Sequence, residues 1–110
     1  MKNQRSFNNV IRYIKNVELC EGLEVVGEGA FEDLCYLESI KLPNSVKSIG
    51  DRAFKGCSNL KIVDFGTGLE SIGNESFEYC YSLECIDIPS SVTKLGIKAF
   101  KFCSDLIKVN

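Results

Sequence analysis

Apolar residues return along this chain at a fixed step. Phe31, Phe54, Phe77 and Phe100 are separated by 54 − 31 = 77 − 54 = 100 − 77 = 23 residues. The same step carries Gly27, Gly50, Gly73 and Gly96, then Leu37, Leu60, Leu83 and Leu106, then Val26, Ile49, Ile72 and Leu95. Leu34, Cys57, Cys80 and Cys103 form another column, and Ala30, Ala53, Ser76 and Ala99 form one of small residues. A fixed period of this size is the signature of a stacked repeat architecture. One repeat before the first full copy stand Ile11, Ile14, Val17 and Leu19. Residues 1–22 therefore read as a degenerate N-terminal half-repeat, followed by repeats near 23–45, 46–68, 69–91 and a truncated 92–110, all in a single domain over 1–110.

Each copy predicts the same short elements. Leu37 to Leu42 alternates apolar and polar and stops at Pro43, which reads as a strand closed by a turn. Val46 to Ile49 gives a second extended piece, ended by Gly50 at a corner where positive φ is expected. Asp51 to Cys57 spaces its small and aromatic residues three to four apart, suiting one turn of 3₁₀ or α-helix. One 23-residue coil cannot bury its apolar face alone, whereas stacked coils share a continuous core. The predicted fold is a short right-handed solenoid of 23-residue coils, each with a parallel strand, a second short strand and a helical turn.

Composition narrows the function. The chain has 13 Lys+Arg against 15 Asp+Glu with no basic block, so nucleic acid and anionic membrane have no electrostatic footprint. There is no histidine, which removes the commonest general base, the Ser-His and Cys-His pairs and the commonest metal ligand. No stretch reaches the roughly 18 apolar residues of a membrane span, and Arg12 and Lys15 interrupt any signal-peptide core after Val10 and Ile11. The six cysteines (Cys20, Cys35, Cys57, Cys80, Cys85, Cys103) read as thiols, three of them in a core column. No cofactor, metal or catalytic constellation is expected.

The unit L-x-x-I-x-L-P-x-x-V-x-x-I-G-x-x-A-F-x-x-C, seen from Leu37 and again from Leu83, resembles the BspA-type leucine-rich repeat, over roughly residues 14 to 109. It departs from the general leucine-rich pattern at Ser45 and Val46, a departure that is itself typical of this type. The resemblance implies a non-enzymatic binding scaffold, a cell-surface location and a protein ligand such as host matrix.

In a solenoid, variable positions form rows across the stack. The outward strand positions include Ser39, Ile62 and Cys85 in one row and Lys41, Asp64 and Asp87 in the next, after Asn16 and Glu18. Ile62 rimmed by charges is the leading protein-binding candidate. A rival lies on the helical-turn side, where Tyr79 and Phe102 stand in one column and Tyr36 and Tyr81 are placed in another. The rows Lys15, Glu38, Lys61, Glu84, Ile107 and Glu32, Lys55, Glu78, Lys101 alternate in sign over their charged members and read as self-neutralising solvated faces. Asn74-Glu75-Ser76 fits a glycosylation sequon, but Ser76 belongs to an inward column. Asn110 stops inside the strand begun at Leu106, which leaves two expectations: a longer protein cut at this point, or self-association through an open C-terminal edge. Two other functions stay open: a structural spacer of a larger repeat protein, and a thiol redox sensor using Cys20, Cys35 or Cys85.

Overall fold

The computed structural model describes residues 13–109, with the backbone alone at 108 and 109. Ile11 and Asn110, which the repeat places in two of its columns, lie outside the described residues. The strands run parallel from coil to coil. β1 (Asn16–Glu18), β3 (Ser39–Lys41) and β5 (Ile62–Asp64) form one ladder, and β7 (Cys85–Ile86) pairs with β9 (Lys108–Val109). A second ladder joins β2 (Val25–Val26), β4 (Ser48–Ile49), β6 (Ser71–Ile72) and β8 (Lys94–Leu95). Every registered pair differs by one repeat, as in Val17↔Ile40↔Val63 and Val26↔Ile49. The alternation read from Leu37 to Leu42 therefore does what period 2 requires: Ile40 and Leu42 are buried while Lys41 points to solvent.

The third side differs from the expected helical turn. Among the described residues no helix forms; each coil makes a chain of tight turns. Backbone N–H groups alternate in direction. Ala30, Glu32 and Leu34 donate three residues back, to Gly27, Gly29 and Phe31. Gly29, Phe31 and Asp33 donate to the next coil, at Asp51, Ala53 and Lys55, over 2.7–3.0 Å. The reason lies in the backbone. Gly29, Arg52, Glu75 and Lys98 share one column with φ between 57° and 63°, and Asp33, Gly56, Tyr79 and Phe102 share another with φ between 61° and 80°. A helix needs right-handed dihedrals throughout, so a left-handed residue at every fourth position ends it. Holding a non-glycine residue there costs roughly 1–2 kcal/mol, and the bonds to the neighbouring coil offset that cost.

The Gly27 column is also corrected. None of its four members has positive φ. A Cβ on Gly50 would lie 2.7 Å from Glu28 N, and one on Gly73 would lie 2.6 Å from Asp51 N and Gly50 C. These glycines permit close approach of coils, not an unusual turn.

The core is a set of such columns seen end on. Phe31, Phe54, Phe77 and Phe100 stack with centroids 5.2, 5.0 and 5.4 Å apart and planes within 10°, and Phe65 meets Phe77 edge-on at 5.8 Å. Cys57, Cys80 and Cys103 stay thiols, each Sγ–H donating to a phenylalanine carbonyl, Phe31, Phe54 and Phe77, at 3.1–3.2 Å. Burial pushes the Cys57 thiol up to about 12 and Cys103 up to about 11, and raises Cys80 as well. In the small-residue column Ser76 is fully buried and its hydroxyl has no hydrogen-bond partner. Within the Asn74 sequon the serine is therefore inward, while Asn74 itself is exposed.

Candidate strand-face binding site

The ladder register sets Ser39 beside Ile62 and Lys41 beside Asp64. Ser39 is half-buried, and its Oγ donates to Asn16 Oδ1 at 2.6 Å. Ile62 is 64% exposed in a strand whose inward neighbour Val63 packs on the core. Asp64 Oδ1 accepts from Gly66 N at 3.0 Å, which fixes the turn leaving β5. Cys85 and Asp87 are exposed on the following coil. β7 lies against β5 but shares no ladder with it among the described residues, so this half of the face is set beside the first half without being locked to it.

Depressions run along the same face. A cleft of about 610 Å3 sits where the strands end, lined by Glu18, Cys20, Glu21, Lys41, Pro43 and Asp64 among others. A second, of about 430 Å3, lies over the strands themselves between Asn16, Ser39, Lys41, Ile62 and Asp64. A third, also about 430 Å3, continues past Gly66, Asp87 and Pro89. Asp64 lines all three. Glu21 is the lining residue that the row analysis missed. Its column of Glu21, Asn44, Thr67 and Ser90 is polar throughout, and the first steps are linked: Asn44 N donates to Glu21 Oε2 at 3.2 Å and Thr67 N to Asn44 Oδ1 at 3.0 Å. A polar column beside a strand end was the available signal.

The turn side gathers its aromatics differently from the expected columns. Tyr79 and Phe102 stack 5.0 Å apart with planes 7° from parallel. Tyr36 and Tyr81 do not share a column, being 81 − 36 = 45 residues apart, one short of two repeats. Tyr36 packs on Tyr13 at 5.1 Å, while Tyr81 leans on Tyr79 at 6.1 Å. Two of the rings carry a lysine, Lys101 Nζ 4.9 Å over Phe102 and Lys55 Nζ 6.0 Å over Tyr79, and all four stay exposed at their rims. Lys55 also reaches Glu75 and Glu78, both at 3.3 Å, and these carboxylates raise its pKa, Glu75 first. Glu78 is only 6% exposed while Lys55 stays half-buried, so at that step the row is a partly buried ion pair, not a fully solvated one.

The model of the BspA-type leucine-rich repeat region matches residues 3–110 in six copies. The chain belongs to the BspA-type leucine-rich repeat family. No curated protein matches the sequence. Among solved structures, a leucine-rich repeat protein from Bacteroides capillosus is 31% identical with a TM-score of 0.76, covering 86% of this chain and 74% of its own. A leucine-rich repeat protein of T. pallidum is 29% identical with a TM-score of 0.67, covering 86% and 57%. A leucine-rich cell surface protein of Faecalibacterium prausnitzii is 30% identical with a TM-score of 0.63, covering 88% and 32%. The chain thus spans little more than half of the T. pallidum protein and a third of the Faecalibacterium one.

Members of such repeat families are in general protein-interaction or surface modules, and the 23-residue solenoid is theirs. Among the described residues no helix is long and apolar enough to cross a membrane, and no group of three Cys, Asp or Glu could hold a metal ion. Of the cysteines suggested for redox sensing, Cys20 and Cys85 are exposed and Cys35 is half-buried, and all are free.

Proposed function

We propose that this BspA-type module is a non-enzymatic protein-binding unit that engages its ligand through the strand face and serves adhesion at a cell surface. The observation that carries the reading is Ile62. It is a large aliphatic side chain left 64% exposed on a ladder, bordered by Lys41 and Asp64 and lining with them the cleft over the strands. An apolar centre with a charged rim is the usual anatomy of a protein interface. The turn face supports a ligand less well, because its rings are turned on one another and on lysines.

The test is capture of extracellular-matrix proteins by the immobilised chain and by two variants. Ile62→Glu is expected to abolish capture, whereas replacing Tyr79 and Phe102 with alanine leaves it. The reverse pattern moves the ligand to the turn face. The greater length of the relatives supports a second reading, in which these coils are a spacer within a longer array; a chain that captures nothing in any form favours it.

A further inference from the structure

Among the described residues, the strand side of the stack is bonded at every step but one. Glu38 N and Ser39 N donate to Lys15 O at 2.6 and 3.1 Å, Lys61 N and Ile62 N to Glu38 O at 2.8 and 3.2 Å, and Ile107 N to Glu84 O at 2.9 Å. At the step from β5 to β7 no bond from Glu84 or Cys85 reaches Lys61, and no ladder forms. The same step stays closed on its other two sides. β6 pairs with β8, and Glu75 N, Phe77 N and Tyr79 N donate to Ile97 O, Ala99 O and Lys101 O at 2.8–3.0 Å.

Two glycines explain where the gap falls. Gly66 occupies the position of Pro43 and Pro89 in the adjoining coils, and Gly68 that of Ser45 and Ser91. A Cβ at Gly66 would lie 2.9 Å from Pro43 O, and one at Gly68 would lie 2.3 Å from Asn44 O. Without those carbons the turn after β5 settles onto the coil of β3 and away from that of β7. The space left on the far side is the cleft of about 430 Å3 lined by Val63, Phe65, Gly66, Ile88 and Pro89. Serine hydroxyls latch its two corners: Ser82 Oγ donates to Ser58 O at 2.8 Å and Ser91 Oγ to Leu69 O at 2.5 Å. Parting the strands at a ladder step breaks backbone bonds at about 1 kcal/mol each. Between β5 and β7 there is no ladder to break.

We propose that the solenoid flexes at the β5–β7 step. The coils that carry β7 and β9 tilt about the two bonded sides, so the strand face opens and narrows between a fixed half, β1 to β5, and a moving half that bears Cys85. Such a hinge lets the curvature of the strand face follow a partner, and it operates whether or not that face is where the partner binds.

Site-resolved amide exchange of the unmodified 110-residue chain, followed by NMR, gives the first test. Protection factors at Glu84 and Cys85 are expected to be about tenfold or more below those at Lys61 and Ile62, while Glu75, Phe77 and Tyr79 stay as protected as Arg52, Phe54 and Gly56. Equal protection along the strand side overturns the hinge. A turn side that exchanges as fast as Glu84 also overturns it, because the whole coil then frays. Spin-label distances give the second test. Labels on the native Cys20 and Cys85, in a Cys35→Ser background, span the step. Labels on Cys20 and on position 62 of Ile62→Cys, with Cys35→Ser and Cys85→Ser, stay within the continuous ladder. The first pair is expected to show the broader distance distribution, and Ser82→Ala with Ser91→Ala to broaden it further while leaving the second pair unchanged. Equal widths for the two pairs, or widths that the serine variants do not move, overturn the proposal.

Discussion

Replacing Gly73 and Gly27 separately with alanine tests the stacking directly, because the two occupy the same column and neither has positive φ. At Gly73 the new Cβ would sit 2.6 Å from Asp51 N and Gly50 C, where comfortable contact begins near 3.5 Å. The coils would have to part by about 0.9 Å there. Two bonds cross that corner, Gly73 N to Ile49 O at 2.8 Å and Asn74 N to Asp51 Oδ1 at 2.8 Å. A displacement of that size along the stack takes both beyond useful length. Losing them costs about 1 kcal/mol each, and overpacking adds about 1–3 kcal/mol. The expected loss is about 3–5 kcal/mol, a fall in Tm on the order of 20 °C for a domain of this size. At Gly27 nothing among the described residues lies within 4 Å of the new methyl. That variant should stay within about 0.5 kcal/mol of the parent, or gain slightly by restricting the unfolded chain. Thermal and urea unfolding followed by circular dichroism give both values. Equal losses in the two variants, or a Gly73→Ala protein as stable as the parent, would refute close approach as the reason for the column.

Ser76→Ala removes a buried hydroxyl without a partner and should stabilise the protein by about 1 kcal/mol, raising Tm by roughly 4–8 °C; a lower Tm would show that the hydroxyl is satisfied. The core thiols predict alkaline weakening. Their folded pKa is raised, about 12 for Cys57 and about 11 for Cys103, so the folded state keeps protons that the unfolded chain releases above roughly pH 8.5. Their contribution is intact below that pH and falls as pH climbs toward 11–12, by about 1.4 kcal/mol per pH unit per thiol. The urea midpoint should drop across this window, and less steeply in Cys57→Ala; identical slopes in the two proteins would contradict the assignment. A chromogenic disulfide reagent at pH 8 should label Cys20 and Cys85 promptly, Cys35 more slowly, and the three column cysteines only on unfolding. Immediate reaction of all six would be incompatible with the buried column.

The columns were legible because a stacked core asks the same of each coil: Phe54 and Phe77 meet the same neighbours one repeat apart. The strand face was legible for a related reason, since period 2 alone decides that Lys41 and Asp64 point outward. The turn segment was not. Its shape depends on left-handed residues such as Arg52, Glu75 and Tyr79, types that carry no signal for that conformation and are held in it by bonds from the next coil. The Gly50 column was found but misread, because positive φ and a neighbouring backbone select glycine equally. Burial of Glu78 was hidden for a comparable reason: an alternating row looks the same whether its pairs close inside or in water. The clefts arise from side-chain directions across coils, which no single row contains.

The hydrogen bonds that cross from coil to coil run along all three sides of the repeat, through the turn side, the β2-β4-β6-β8 ladder and the first ladder except between β5 and β7. That arrangement fixes the unit in which the molecule can change length. One residue inserted into a single coil would put each later strand, turn donor and glycine out of phase with the coil before it. A tandem duplication of 23 residues would leave every partner in place and add one more rung to each column. For this protein the tolerated size of an insertion is therefore not a matter of loop flexibility but of counting, and growth or shrinkage by whole coils is the route that keeps the core intact.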